Sequence, residues 1–324
     1  MIHLHFGMAF LLVFAIMMLL MPAFSKLANK FDFTDKPTER KKHKSPIPLS
    51  GGMAMFLAIA VGFIAFILFA DGSDPALVAV LGGAGLIVCI GLVDDYSKAR
   101  GKEFPVWPRL IVHFGAATIA FAAGIRFTGF FNFFTDSYVY LPIALQFILT
   151  VLWFVGLVTA FNFMDGLDGL SGLLAMVSGT TFFVVAVYMG QPESAFLSII
   201  FVAAVAGFLR FNMPPAKVYM GDSGAYLLGY LLAAISLHGA FKQATVVSLA
   251  IPILAMGVPI FDAMLVVVRR IMARQPAHVA DSSNITHFHF RLLRDGMKPS
   301  HVLFMIFLVS ACLNLTSIIL MLIF

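Results

Sequence analysis

Charge is what this sequence has least of. Lys, Arg, Asp and Glu make up 11% of its 324 residues, against roughly 25% in a soluble domain. Too few polar groups remain to solvate a folded surface of ordinary composition, which excludes a soluble globular protein. Cysteine is nearly absent. Cys89 and Cys312 both lie inside apolar runs, so there is neither a disulfide framework nor a thiolate zinc site. No internal repeat is evident, and an inverted-repeat transporter would show one. The opening residues, Met1-Ile2-His3-Leu4-His5, contain no Lys or Arg, and the first positive charges follow only at Lys26 and Lys30. That order speaks against a cleaved signal peptide and for a first helix whose N-terminus lies outside.

What is abundant is apolar chain: 61% of residues are hydrophobic, and the mean hydropathy is +0.98. A bilayer core takes about 20 apolar residues per helix. The runs are continuous rather than alternating, which favours helices over a membrane barrel. The expected fold is an all-α polytopic membrane protein, a single integral membrane domain over 1–324. About ten spans are readable, at 3–24, 50–70, 75–93, 107–125, 140–160, 170–190, 194–209, 223–239, 244–268 and 301–323.

Placement of the basic residues orients these spans. Of the 21 Lys and Arg, all but Arg126 and Lys242 fall in loops that follow odd-numbered spans, or close beside them. The positive-inside rule then puts both termini outside and the basic loops in the cytoplasm. The cytoplasmic side also receives Asp35, Asp94, Asp95, Asn162, Asp165, Asp168, Asn212, Asp222, His287 and His289. The outer loops carry little, and the Phe-rich stretch 127–140 reads as an interfacial aromatic element.

Three stretches hold acids at a membrane edge, where charge is expensive. Gly91-Leu92-Val93-Asp94-Asp95 ends the third span, and two carboxylates are badly placed at the negative end of a helix dipole. Asn162 through Gly172 holds Asp165 and Asp168 three residues apart, with Gly166, Gly169 and Gly172 at the same interval. One acid there is explained as a helix cap, three polar groups are not. Lys217-Val218-Tyr219-Met220-Gly221-Asp222-Ser223-Gly224 makes a turn with free backbone N–H groups, suited to phosphate or to aiming a carboxylate at a metal. If these loops meet, their carboxylates cannot all stay ionised without cations. Mg²⁺ suits them, being held by one or two carboxylates plus phosphate oxygens. His287-x-His289 alone is too weak a zinc signal. Two basic loops remain. One runs from Asp35 to Gly52, and lipid attraction explains its lysines but not its Pro46-x-Pro48-x-x-Gly51-Gly52 order. The other runs from Arg269 to Lys298 and includes Thr286-His287-Phe288-His289-Phe290-Arg291.

In this order, over 35–291, these stretches resemble the polyprenyl-phosphate N-acetylhexosamine-1-phosphate transferases. The branch most similar is the bacterial undecaprenyl-phosphate GlcNAc-1-phosphate transferases, which start O-antigen, enterobacterial common antigen and teichoic acid synthesis. The resemblance implies ten transmembrane helices in the bacterial cytoplasmic (inner) membrane. It implies a UDP-sugar donor, an undecaprenyl phosphate acceptor and Mg²⁺, with Mn²⁺ as a substitute. Nucleic acid has no part, membrane lipids surround the chain, and a homodimer is left open. Asn162 and Asp222 match the metal ligands. Asp94 matches the carboxylate proposed to deprotonate the lipid phosphate, with Asp95 beside it, and Lys44 lines up with a lysine before the Gly-Gly. Asp165 falls next to the diphosphate. Gly166, Leu167, Asp168 and Asn212 match the uridine pocket, and Tyr219 an aromatic that stacks on uracil. His287, His289 and Arg291 match the loop that reads the sugar. Phe290 departs from the His-x-His-His-Arg pattern of the sugar-phosphate branch, while Arg291 stands where the MurNAc-pentapeptide branch has an acid. UDP-GlcNAc is the expected donor, with UDP-FucNAc, UDP-QuiNAc and UDP-MurNAc-pentapeptide as alternatives. The different-class alternative is an ion-coupled transporter. It would place ionisable groups near the bilayer midplane, where only Asp262 is a candidate.

Overall fold

A computed structural model describes residues 2–36, 45–69, 75–132, 135, 137–240, 250–272 and 287–323. The elements in chain order are α1 (Ile2–Lys30), β1 (Thr34–Asp35), β2 (Ile47–Pro48), α2 (Gly51–Phe69), α3 (Pro75–Ala99) and α4 (Val106–Ala122). Then come β3 (Gly129–Asn132), β4 (Ser137–Tyr140), α5 (Ile143–Met164), α6 (Leu170–Tyr188) and α7 (Pro192–Asn212). The chain finishes with α8 (Gly221–Ala240), α9 (Ala250–Ala255), α10 (Gly257–Met272), α11 (Phe288–Arg294) and α12 (Pro299–Ile323). Seven helices of the described residues are long and apolar enough to cross a membrane, and α4 is a shorter apolar helix. β1 pairs antiparallel with β2, and β3 with β4. The aromatic stretch 127–140 is thus organised around a β-hairpin.

The bundle is built around α8. Ser223 through His238 are all buried, as expected of a helix that is apolar all round. α8 packs against α2, α3 and α5, and glycine makes the approach possible. A Cβ on Gly91 of α3 would run into the Ser223 backbone, and one on Gly229 of α8 would sit 2.5 Å from the Leu157 carbonyl oxygen. Small residues at such crossings let membrane helices touch backbone to backbone. Around this centre α7 packs against α1, α2 and α6, while α12 covers α6 and α9.

Three helix boundaries differ from the sequence expectation. The first helix runs past Pro22 to Lys30. A mid-helix proline removes only one hydrogen bond, and Met21 and Ala28 are buried on either side of it. The third span does not stop at 93: α3 continues to Ala99 and carries Asp94 and Asp95 within it, because both acids find partners. The ninth span, read as continuous over 244–268, is broken at Met256 between α9 and α10; its first residues lie outside the described ones. The carbonyl of Ala255 would bond the amide of residue 259, but Pro259 has none. Ser178 Oγ (2.6 Å) and Asn314 Nδ2 (3.0 Å) donate to that carbonyl instead.

Candidate active site

At one end of the bundle α3, α5 and α7 finish while α2, α6 and α8 begin, and the three acidic stretches meet there. Asp95 is consumed in holding them. Its Oδ1 accepts from the Asp222 amide (2.7 Å), and its Oδ2 from the Ser223 amide (3.1 Å) and hydroxyl (2.7 Å). It therefore caps α8 from another helix, supplying an acceptor to N–H groups that have none within the helix. Gly221 is required beside it: φ is +69°, and a Cβ would collide with the Asp95 carboxylate.

Asp94 lies one residue earlier and faces a different set. It is fully buried. Its Oδ2 accepts from Arg109 Nη1 (2.9 Å) and the Tyr226 hydroxyl (3.2 Å). Its Oδ1 accepts no hydrogen bond, with Lys98 Nζ 3.7 Å away. Asp222 Oδ2 accepts from Lys98 Nζ and, at 3.0 Å, from the same Tyr226 hydroxyl. A phenol carries one proton, so Asp94 and Asp222 share it. The two carboxylates are bridged by one hydroxyl and one ammonium.

The α5–α6 connection is tied to the α7–α8 connection. Asn212 is buried, its Oδ1 accepting from the Gly169 amide (3.0 Å) and its Nδ2 donating to the Val218 carbonyl (2.9 Å). Asp168 Oδ2 accepts from the Ala216 amide (3.0 Å), and Asp165 Oδ1 from the Ser171 hydroxyl (2.8 Å). Burial pushes the Asp165 carboxyl up to about 8. The Ser171 hydrogen bond opposes the shift, and the carboxylates of Asp222, Asp95 and Asp168 add to it. Burial, with the carboxylates of Asp168, Asp35 and Asp165 around it, also raises the Tyr219 phenol. Asn162 stands half-buried in the last turn of α5.

The Pro46-x-Pro48-x-x-Gly51-Gly52 order has a packing explanation. The Tyr219 amide donates to the Pro48 carbonyl (2.9 Å), and the Gly51 and Gly52 amides to the Tyr219 and Met220 carbonyls (3.0 Å each). A Cβ on Gly52 would collide with the backbone at Ser223 and Gly224. This strap and Asp95 together hold the Tyr219–Ser223 turn. Lys44 lies outside the described residues.

His287, His289 and Phe290 lie against the end of α5 and the α5–α6 connection. The His287 ring lies 4.9 Å from that of Phe163. His289 is fully buried with neither ring nitrogen hydrogen-bonded, and burial pushes its imidazole down to about 4. A Cβ on Gly166 would sit 2.6 Å from His289 Nε2 and from Phe290 Cζ, so Gly166 is the seat of α11. Leu167 packs at the margin of the core, and Arg291 is half-buried on the same short helix.

Asp94, Asp95, Asp165, Asp168, Asn212, Tyr219 and Asp222 are therefore brought together. Sequence reasoning missed the groups that hold them: Lys98, Arg109, Ser171, Ser223 and Tyr226. Lys98 is four residues after Asp94, and Tyr226 four after Asp222, the spacing of helical neighbours. Among the described residues no three His, Cys, Asp or Glu side chains gather into a ready-made metal cage. The donors at the mouth are carboxylate and amide oxygens, and an ammonium already lies against Asp222 and beside Asp94. That chemistry fits a hard divalent ion that completes its shell with phosphate oxygens, and does not fit zinc.

A multi-pass helical membrane protein with acids, a lysine and an arginine converging on one end of its bundle is the class that fold and site define. The family description glycosyl transferase family 4 matches residues 77–240. A Bacillus subtilis protein described as a probable undecaprenyl-phosphate N-acetylglucosaminyl 1-phosphate transferase is 32% identical over 96% of this chain and 84% of its own length. A decaprenyl-phosphate N-acetylglucosaminephosphotransferase of Mycobacterium leprae is 30% identical over 87% of this chain and 75% of its own. A phospho-N-acetylmuramoyl-pentapeptide-transferase of Staphylococcus aureus is 29% identical over 73% and 76%. The chain belongs to glycosyl transferase family 4.

Proposed function

We propose that this enzyme transfers N-acetylhexosamine 1-phosphate, with GlcNAc 1-phosphate the first choice, from a UDP-sugar to undecaprenyl phosphate. UMP is released, and the lipid-diphosphate sugar initiates a cell-envelope polysaccharide such as O-antigen. The observation that carries the reading is the convergence of Asp94, Asp165, Asp168 and Asp222 with Lys98 and Arg109 at one end of an apolar bundle. The 32% identity to the Bacillus subtilis relative supports the donor and the acceptor.

In this reading the chain crosses the bacterial inner membrane ten times, with α9 and α10 together as the ninth crossing. Both termini lie outside and the site faces the cytoplasm, where soluble nucleotide sugars are made and the basic loops belong. A phosphate oxygen of the lipid attacks the β-phosphorus of the UDP-sugar. A new P–O bond forms, the bond to UMP breaks, and its electron pair leaves on the UMP phosphate. Asp94 keeps the lipid phosphate deprotonated through the oxygen that accepts no hydrogen bond. Lys98 and Arg109 offset phosphate charge. Asn162 and Asp222 would hold Mg²⁺, which neutralises charge on the diphosphate when bound. Asp165 lies beside the diphosphate, and Lys44 extends the basic side. Gly166, Leu167 and Asp168 line the uridine pocket, Asn212 holds its wall, and Tyr219 stacks on uracil. His287, His289 and Arg291 read the sugar, and Arg291 favours a simple N-acetylhexosamine over a peptide-bearing donor.

The test is purified protein with undecaprenyl phosphate, Mg²⁺ and a panel of UDP-sugars, reading UMP release. Release with UDP-GlcNAc, lost in Asp94→Asn, Asp168→Asn and Asp222→Asn, is the expected result. No release with any donor overturns the reading. A trapped, labelled phospho-aspartyl enzyme would replace direct attack by a two-step route.

A further inference from the structure

Among the described residues the proposed transfer leaves one buried acid without a part. Asp262 sits in α10, beyond the break at Met256, and is 6% exposed. An acid inside a membrane helix is expensive to keep and marks a function when it has a defined partner. Asp262 has two. Its Oδ2 bonds His287 Nδ1 at 2.7 Å, and its Oδ1 accepts from the Phe288 amide at 2.7 Å. His287 is the N-cap of α11 and makes no cap bond with its own side chain; Asp262 supplies that bond from a different helix. Both oxygens grip adjacent points of one loop, so the ring can neither swing nor rotate freely. The Phe163 ring, next to Asn162, also packs against it, with ring centroids 4.9 Å apart.

An ionised carboxylate only accepts. With Asp262 accepting from a neutral ring, the hydrogen between them sits on His287 Nδ1 and the lone pair on Nε2. We infer that Asp262 is the positioning residue of the donor-reading loop: it fixes the His287 tautomer and presents Nε2 as a hydrogen-bond acceptor for a sugar hydroxyl or acetamido N–H. This rests on the reading that the His287–Arg291 segment meets the donor sugar. An Asp that acts through a histidine is felt as a wrong tautomer when it is made Asn, because the amide turns N–H toward the ring nitrogen.

The experiment compares wild type with Asp262→Asn, using full-length protein labelled with ¹⁵N-histidine in detergent. The His287 resonances are assigned by their loss in His287→Gln. Wild type is expected to show the proton on Nδ1. In Asp262→Asn the amide oxygen keeps the Phe288 bond, and the proton moves to Nε2. kcat/KM for the UDP-sugar is expected to fall about 10- to 100-fold, the range for loss of an orienting partner, with KM for undecaprenyl phosphate unchanged. A wild-type His287 protonated on Nε2 overturns the inference, as does an Asp262→Asn protein with wild-type spectrum and donor kinetics. A loss shared equally by both substrates and accompanied by a lower Tm also overturns it, since the acid would then serve the fold alone. If wild type releases no UMP with any donor, the transferase reading falls, and the histidine spectrum alone decides whether Asp262 sets the tautomer.

Discussion

Asp95 holds Asp222 by its backbone rather than by its charge: the Asp222 amide donates to Asp95 Oδ1 at 2.7 Å. The adjacent carboxylates of α3 thus have separate partners, Asp95 fixing the start of α8 and Asp94 meeting Arg109, Tyr226 and Lys98. Asp95→Ala is expected to destabilise the protein by about 1–3 kcal/mol, as buried N–H groups lose their acceptor. Turnover is expected to fall with it, because Asp222 loses its seat. Asp95→Asn keeps an acceptor and should lose less of both. Thermal unfolding in detergent, read beside UMP release, checks the pair; an Asp95→Ala protein with wild-type Tm would refute the capping role.

Lys98 lies against Asp222 and 3.7 Å from Asp94 Oδ1, with Arg109 on the other oxygen of Asp94. Removing Lys98 leaves Asp222 without its ammonium partner where a divalent ion is proposed to bind. Lys98→Gln is expected to lower the half-saturating Mg²⁺ concentration while reducing kcat about 100-fold or more, the size of effect seen when one charge-stabilising group is lost. A Mg²⁺ titration of UMP release that superimposes on wild type would remove Lys98 from the site.

Asp165 carries a pH signature. Its carboxyl titrates near 8 in the folded protein against an ordinary value of 3.8. Between these values the folded state holds a proton that the unfolded state has released. Stability of the cation-free protein therefore falls as pH rises from about 4 to about 8 and levels off above. Asp165→Asn should flatten that part of the Tm-versus-pH curve, and an unaltered slope would show that another group is responsible.

Gly52 is where the Pro-x-Pro-x-x-Gly-Gly strap meets α8, and the space for a Cβ is taken by the Ser223–Gly224 backbone. Gly52→Ala is expected to cost about 1–3 kcal/mol, as overpacking does, and to reduce activity by shifting the turn that carries Asp222. Gly82 of α3, where a Cβ meets nothing within 4 Å, is the control: Gly82→Ala should leave both Tm and UMP release near wild type.

The sequence by itself determined the solvent and grouped the acids. Hydropathy adds up residue by residue, so scarcity of charge and continuous apolar runs sufficed for membrane helices, and the placement of Lys and Arg grouped the acidic stretches at one face. Asn162–Gly172 and Lys217–Gly224 were legible as special because polar groups and glycines are improbable at a membrane edge without a purpose. Tertiary structure decided which groups act together. Asp95 lies 127 residues from the amide it caps and Asp262 lies 25 from the histidine it holds, and no local pattern reports such pairs. Lys98 and Arg109 read as topological charges until α8 brought Asp222 and Tyr226 against them. The break of the ninth span likewise depends on Ser178 and Asn314, on two other helices, satisfying the carbonyl that Pro259 leaves open. Local composition sets what a segment dissolves in; the pairing of buried polar groups is set by which helices become neighbours, and only the packed bundle specifies that.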